Sequence, residues 1–175
     1  MPRGDEVIEP INRLLPLFPL TIATQDWHPP GHVSFASAHP NKRVGDVVWM
    51  NGVEQRLWPD HCVQGTWGAQ FPAALNSSAM GAVFQKGSDR QVDSYSAFFD
   101  ALRRPSTPLA DYLRSRGCTS LYFAGLATDY CVLYSVLDAL FLGFDTHVLL
   151  EACRSVSPDA SPAIEKMKAA GARCA

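Results

Sequence analysis

The sequence predicts an α/β fold, a doubly wound parallel sheet with helices on both faces, and three observations carry that expectation. Segments with helical spacing alternate with short apolar runs. The runs lack the in/out alternation of a half-exposed strand, as buried parallel strands do. Polar and chemically capable residues cluster where those runs end, which is the ligand-binding rim of such sheets.

Taken in order, Val7, Ile8, Ile11, Leu14, Leu15 and Phe18 recur at helical spacing, and Pro16 and Pro19 mark the exit. Leu20 to Thr24 reads as a strand that delivers Gln25, Asp26, Trp27 and His28 to its end, before Pro29, Pro30 and Gly31 turn the chain. Ser34 to Leu75 has little periodicity and reads as a working loop region. Ala82 to Gln85 is a second strand with Lys86 at its end, and Leu109 to Arg116 a helix closed by Gly117. Leu121 to Gly125 is the clearest strand; Thr128 or Asp129 is placed to cap a helix running through Leu140. Asp145 to Leu150 and Pro162 to Ala170 add a strand and a helix.

The chain has 175 residues and a formal net charge of −2, with no lysine or arginine block. That length suits one domain over residues 1–175, and the charge pattern offers no footprint for nucleic acid or an anionic membrane. Its apolar stretches are too short to cross a bilayer, and no basic-then-apolar leader is present, so a cytoplasmic protein is expected. The five cysteines contain no C-x-x-C pair and fit neither a disulfide framework nor a sulfur-based zinc site. Oligomeric state is open, with a homo-oligomer compatible.

Cys131 follows a buried strand at the start of a helix, where backbone N–H groups and the helix dipole favour a thiolate and can hold an oxyanion. Asp26 and His28 are one residue apart, so on extended backbone both side chains point to one side and can share an ion. His32 follows across the turn and His61 lies in the next loop. One carboxylate with two or three imidazoles suits a divalent zinc, iron or manganese ion in an open site that keeps exchangeable waters. His39 and His147 have no such company. Lys86 sits on the same rim, and Trp58, Trp67 and Tyr95 are candidates for lining a flat pocket around an aromatic ring.

Four stretches, TQDWHPPGHVSFA, WPDHCVQGT, FQKGSDRQVDSYSAF and GLATDYC, resemble in order the metal loop, second metal segment, lysine segment and nucleophile turn of the nicotinamidases within the isochorismatase-like hydrolases. The resemblance implies a three-layer sandwich, and a cysteine, Cys131, that forms a thioester with nicotinamide and releases ammonia and then nicotinate. It implies Asp26, His28 and His61 as metal ligands, with His32 matching a ligand found in part of the family. Trp58 and Tyr95 would flank the pyridine ring, the N–H groups of Ala127 and Cys131 would form the oxyanion hole, and Leu126 to Ala127 would be a cis peptide. Rival readings are another amidohydrolase or isochorismatase of the family, and an inactive metal-binding homologue.

The family begins with an apolar strand ending in the aspartate that serves as general base, whereas PRGDEVIEPINRLL resembles the stretch just after it. The expectation is therefore an N-terminally truncated chain lacking its first strand, with two strands left unpaired on one side. It includes a Lys86 deprived of its carboxylate partner, whose pKa should fall on burial.

Overall fold

The computed structural model describes residues 1–175. A short 3-10 turn leads into helix α1 (Ile8–Leu14), and a second turn at Leu15–Leu17, holding Pro16, ends it. Proline lacks the N–H that an interior helical turn needs, so the helix stops there. Strand β1 (Ile22–Asp26) follows and pairs in parallel with β4 (Ala82–Lys86), with Asp26 opposite Lys86 at the end of the register. A β-strand runs two residues further here than the apolar pattern suggests, so Asp26 belongs to the strand itself.

Between them, the region read as loop contains an antiparallel hairpin, β2 (Val47–Met50) and β3 (Val53–Arg56). Its turn residues Asn51 and Gly52 have φ of 52° and 83°. Paired positive φ values are what a two-residue hairpin turn requires, and Asn-Gly is its strongest sequence signal. The signal was legible, and the hairpin is a correction to the loop expectation.

Helix α2 (Leu109–Ser115) precedes β5 (Ser120–Leu126). A π-helical turn at Thr128–Val132 then runs into α3 (Leu133–Phe141). Neither Thr128 nor Asp129 caps this helix by its side chain; the Asp129 carboxylate instead accepts from the backbone N–H groups of Val156 and Ser157. Strand β6 (Asp145–Arg154), helix α4 (Ser161–Ala169) and the two-residue β7 (Arg173–Cys174) complete the chain. Strand β6 is parallel to β5 and β7, giving the order β5-β6-β7.

The parallel strands thus form two hydrogen-bonded groups, β1-β4 and β5-β6-β7, with β4 and β5 each paired on one side. One core joins them. Phe98, Leu109, Leu113, Ala139 and Phe144 pack together, and Ile22 and Phe84 from the first group meet Leu121 and Phe123 from the second against them. A second cluster, with Met167, Val136 and Val148 fully buried, binds α3 and α4 to β6. Successive strand residues face opposite ways, so Tyr122 points away from this layer. Phe18, just beyond α1, packs on it at 5.1 Å. Helices therefore cover both faces.

Met167→Ala, which removes a side chain with no solvent exposure, should destabilise the protein by about 2–5 kcal/mol. A urea unfolding curve with the same slope and a lower midpoint would show it.

Candidate metal and nucleophile site

Parallel pairing of β1 with β4 sets Asp26 beside Lys86, and the Lys86 ammonium makes an ion pair with Asp26 Oδ1 at 2.5 Å. Lys86 Nζ also donates to the Ser94 carbonyl at 2.7 Å and lies 3.4 Å from Cys131 Sγ. Burial is the strongest single influence and opposes its charge, but Asp26, with Cys131 and Asp93 adding to it, holds the Lys86 pKa above the ordinary lysine value. The expectation of a falling Lys86 pKa is thus overturned, because Asp26 supplies the carboxylate. Asp26 answers in kind: burial alone would raise its pKa, and Lys86 and then His28 bring it below the usual carboxylate value.

Cys131 lies within the π-helical turn that opens the helical run into α3. Burial pushes its thiol up to about 11, with Lys86 pulling the other way and Asp26 adding to the rise. Desolvation of the enclosed sulfur thus works against the thiolate expected from its place at the start of the helix. The Leu126–Ala127 peptide is cis. Ala127 N–H has no acceptor among the backbone hydrogen bonds, and Leu126 is 43% exposed. Leu126, Asp26, Lys86, Cys62 and Cys131 line one cavity of about 180 Å³.

Asp26, His28 and His61 bring one ligand atom each within 4.8 Å of one another, an arrangement that fits a divalent cation. The two imidazoles are oriented alike. His28 Nδ1 donates to the Gly87 carbonyl at 2.9 Å and His61 Nδ1 to the Pro59 carbonyl at 2.8 Å. A carbonyl only accepts, so both Nδ1 atoms carry the proton and both Nε2 lone pairs are free for an ion. Burial lowers the His28 pKa, which keeps the ring neutral as ligation needs. The approach of His28 to Gly87 is close: a Cβ on Gly87 would sit 2.5 Å from His28 Cε1, and φ at Gly87 is 65°. Only glycine satisfies both conditions.

His32 groups differently. Its ligand atom falls with His28 and Asp93, all three buried, and not with the trio of Asp26, His28 and His61. Its ring lies 4.2 Å from that of His28, and burial lowers its pKa.

Trp58 and Tyr95 meet directly, with Trp58 Nε1 donating to Tyr95 Oη at 2.9 Å and the rings edge-on. Tyr130, next to the nucleophile, packs edge-on against Trp58 at 4.7 Å and against Tyr95 at 5.3 Å. Sequence reasoning missed Tyr130, although it stands inside the GLATDYC stretch. It also passed over Asp93, whose carboxylate accepts from Gln55 and from the Ser94 N–H. Nothing in the spacing marks Asp93; only the folded loop brings it near His32. Trp67 is 88% exposed and takes no part.

Comparison with known proteins places this geometry. The family profile described as Isochorismatase domain matches residues 1–175. A nicotinamidase of Escherichia coli is 45% identical over 179 aligned positions, covering 98% of this chain and 84% of that protein. A solved nicotinamidase from Acinetobacter baumanii superimposes with a TM-score of 0.95 at 38% identity, covering 98% of this chain and 84% of its own. A pyrazinamidase of Pyrococcus horikoshii, solved in complex with zinc, gives 0.80 at 34% identity over 100% of this chain and 87% of its own.

Gly87→Ala should displace the His28 ring and cost ~1–2 kcal/mol in backbone strain as well; calorimetric titration with zinc should show affinity reduced by about tenfold or more. In metal-free protein, iodoacetamide modification of Cys131, followed by peptide mapping, should keep rising past pH 9 and level off only near about 11. Neutral thiol persists below that value and reacts slowly.

Proposed function

Because the chain belongs to the isochorismatase family, we propose that it is a nicotinamidase, a cysteine amidohydrolase converting nicotinamide to nicotinate and ammonia. The observation that carries this reading is the contact of Lys86 with both Cys131 Sγ and the Asp26 carboxylate. It joins Cys131 to Asp26 of the proposed trio, both of which line one cavity, and the relatives named nicotinamidase support the substrate.

Cys131 sulfur attacks the carboxamide carbon as its proton passes to the carboxamide nitrogen, and the Lys86 ammonium favours the developing sulfur anion. The tetrahedral oxyanion forms beside Ala127 and Cys131, whose backbone N–H groups serve as its donors. Collapse breaks the C–N bond, the nitrogen leaves protonated as ammonia, and a nicotinoyl thioester remains on Cys131. Water then attacks the thioester carbon, releasing nicotinate and restoring the thiol. Trp58 and Tyr95, with Tyr130 beside them, offer the aromatic surface for the ring, and Leu126 borders the cavity. A divalent cation held by Asp26, His28 and His61, zinc by analogy with the Pyrococcus relative, would bind the pyridine nitrogen and orient it.

One observation favours a second reading, an inactive metal-binding homologue. The only hydrogen-bond partner of Cys131 Sγ is the Lys86 cation, and Asp26 and Asp93, the carboxylates acting on the sulfur, are already engaged. Neither is free to accept the thiol proton at hydrogen-bond distance.

Ammonia release from nicotinamide separates the two. The intact protein should release it, and Cys131→Ala should lower the rate by on the order of 10⁴-fold or more. Chelation should abolish activity and zinc should restore it. Equal rates in wild type and Cys131→Ala would remove the proposed nucleophile, and no release by metal-loaded wild type would leave the inactive homologue.

A further inference from the structure

Resting on the reading of Asp26, His28 and His61 as the ligands, we infer that His32 is not a further ligand but the positioning residue that fixes the His28 ring. The backbone N–H of Ser34 donates to His32 Nδ1 at 3.2 Å, and the Ser34 hydroxyl lies 2.7 Å from the same atom. A ring nitrogen that accepts an N–H holds its lone pair there, so the neutral imidazole carries its proton on Nε2. This is the tautomer opposite to that of His28 and His61, whose Nδ1 atoms face carbonyl oxygens. A protonated Nε2 has no electron pair for an ion.

The surroundings of His32 Nε2 match a donor. It is the one buried side-chain nitrogen or oxygen that has no hydrogen-bond partner. The backbone carbonyls of Val92 and Asp89 act on the ring as acceptors, and the Asp93 carboxylate has an oxygen within 4.8 Å of a ring nitrogen. All of these accept. An ion among His28, His32 and Asp93 would need the Nε2 lone pair, and freeing it would set a protonated Nδ1 against the Ser34 N–H.

What His32 does reach is the ligand ring. Its imidazole lies against that of His28 at 4.2 Å and 30° tilt, and Phe35 abuts both rings at 5.6 Å. Val33 N–H donates to the Arg90 carbonyl at 3.0 Å, fastening the same loop to the segment that follows Lys86. His28 is thereby held on two sides, by the Gly87 carbonyl at its Nδ1 and by the His32 ring at its face.

Cobalt(II) loading of the whole protein tests this, read by visible absorption, by X-ray absorption and by titration. Wild type should show two coordinated imidazoles. His32→Gln, which keeps a donor at the Nε2 position, should show the same spectrum and an affinity within about threefold, whereas His32→Ala should bind about 10–100-fold more weakly with an unchanged spectrum at saturation. Three imidazoles in wild type, a shifted absorption band in His32→Gln, or wild-type affinity in His32→Ala would each overturn the assignment. His61→Gln is the control for the ligand set itself: loss of one imidazole upholds the trio, and a wild-type spectrum there would overturn that reading whatever His32 does.

Discussion

The carboxylate of Asp26 pairs with the Lys86 ammonium through one oxygen and has the other 4.0 Å from His28 Nε2. Lys86 has a side chain only 4% exposed, and removing one partner of such an ion pair typically destabilises by about 3–5 kcal/mol, since the survivor stays buried and uncompensated. The pair therefore holds β1 and β4 in a single register and links the candidate ligands Asp26, His28 and His61 to Cys131 in one electrostatic unit.

That unit acts on the Cys131 thiol. The cation beside Sγ favours the thiolate, while enclosure and the Asp26 charge oppose it, and enclosure prevails. A buried neutral thiol reacts slowly with electrophiles. Asp26 moves the other way: with its pKa lowered by Lys86 and His28, it stays ionised at neutral pH. Its contribution to stability is present above the ordinary carboxylate value and lost as pH falls through the lowered one.

Glycine and the carbonyl groups do the remaining positioning. Gly87 lets the backbone approach His28 closely enough to accept its Nδ1–H, and Pro59 does the same for His61. Main-chain groups on turns, and not other side chains, choose the tautomers on which an ion would depend. This explains why so much of the site lies on irregular backbone between β1, β4 and the turn after β5.

Much of the fold was legible in the chain. Apolar runs and helical spacing identified α1, β1, β4, β5 and α2 to within a few residues, because burial imposes those periods directly. The Asn51-Gly52 turn carried its own signal, and it was overlooked. The residue types at Asp26, His28, His61, Lys86 and Cys131 marked the candidate site, and the structure brings them together. Three things needed the tertiary structure. The partner of Lys86 follows from the β1–β4 register, which no local pattern encodes. The Cys131 thiol's rise to about 11 follows from enclosure by distant segments. The grouping of His32 with Asp93 follows from a loop folding back on another, and contacts between residues far apart in sequence are settled by packing and hydrogen bonding over the whole chain, not by the residues on either side.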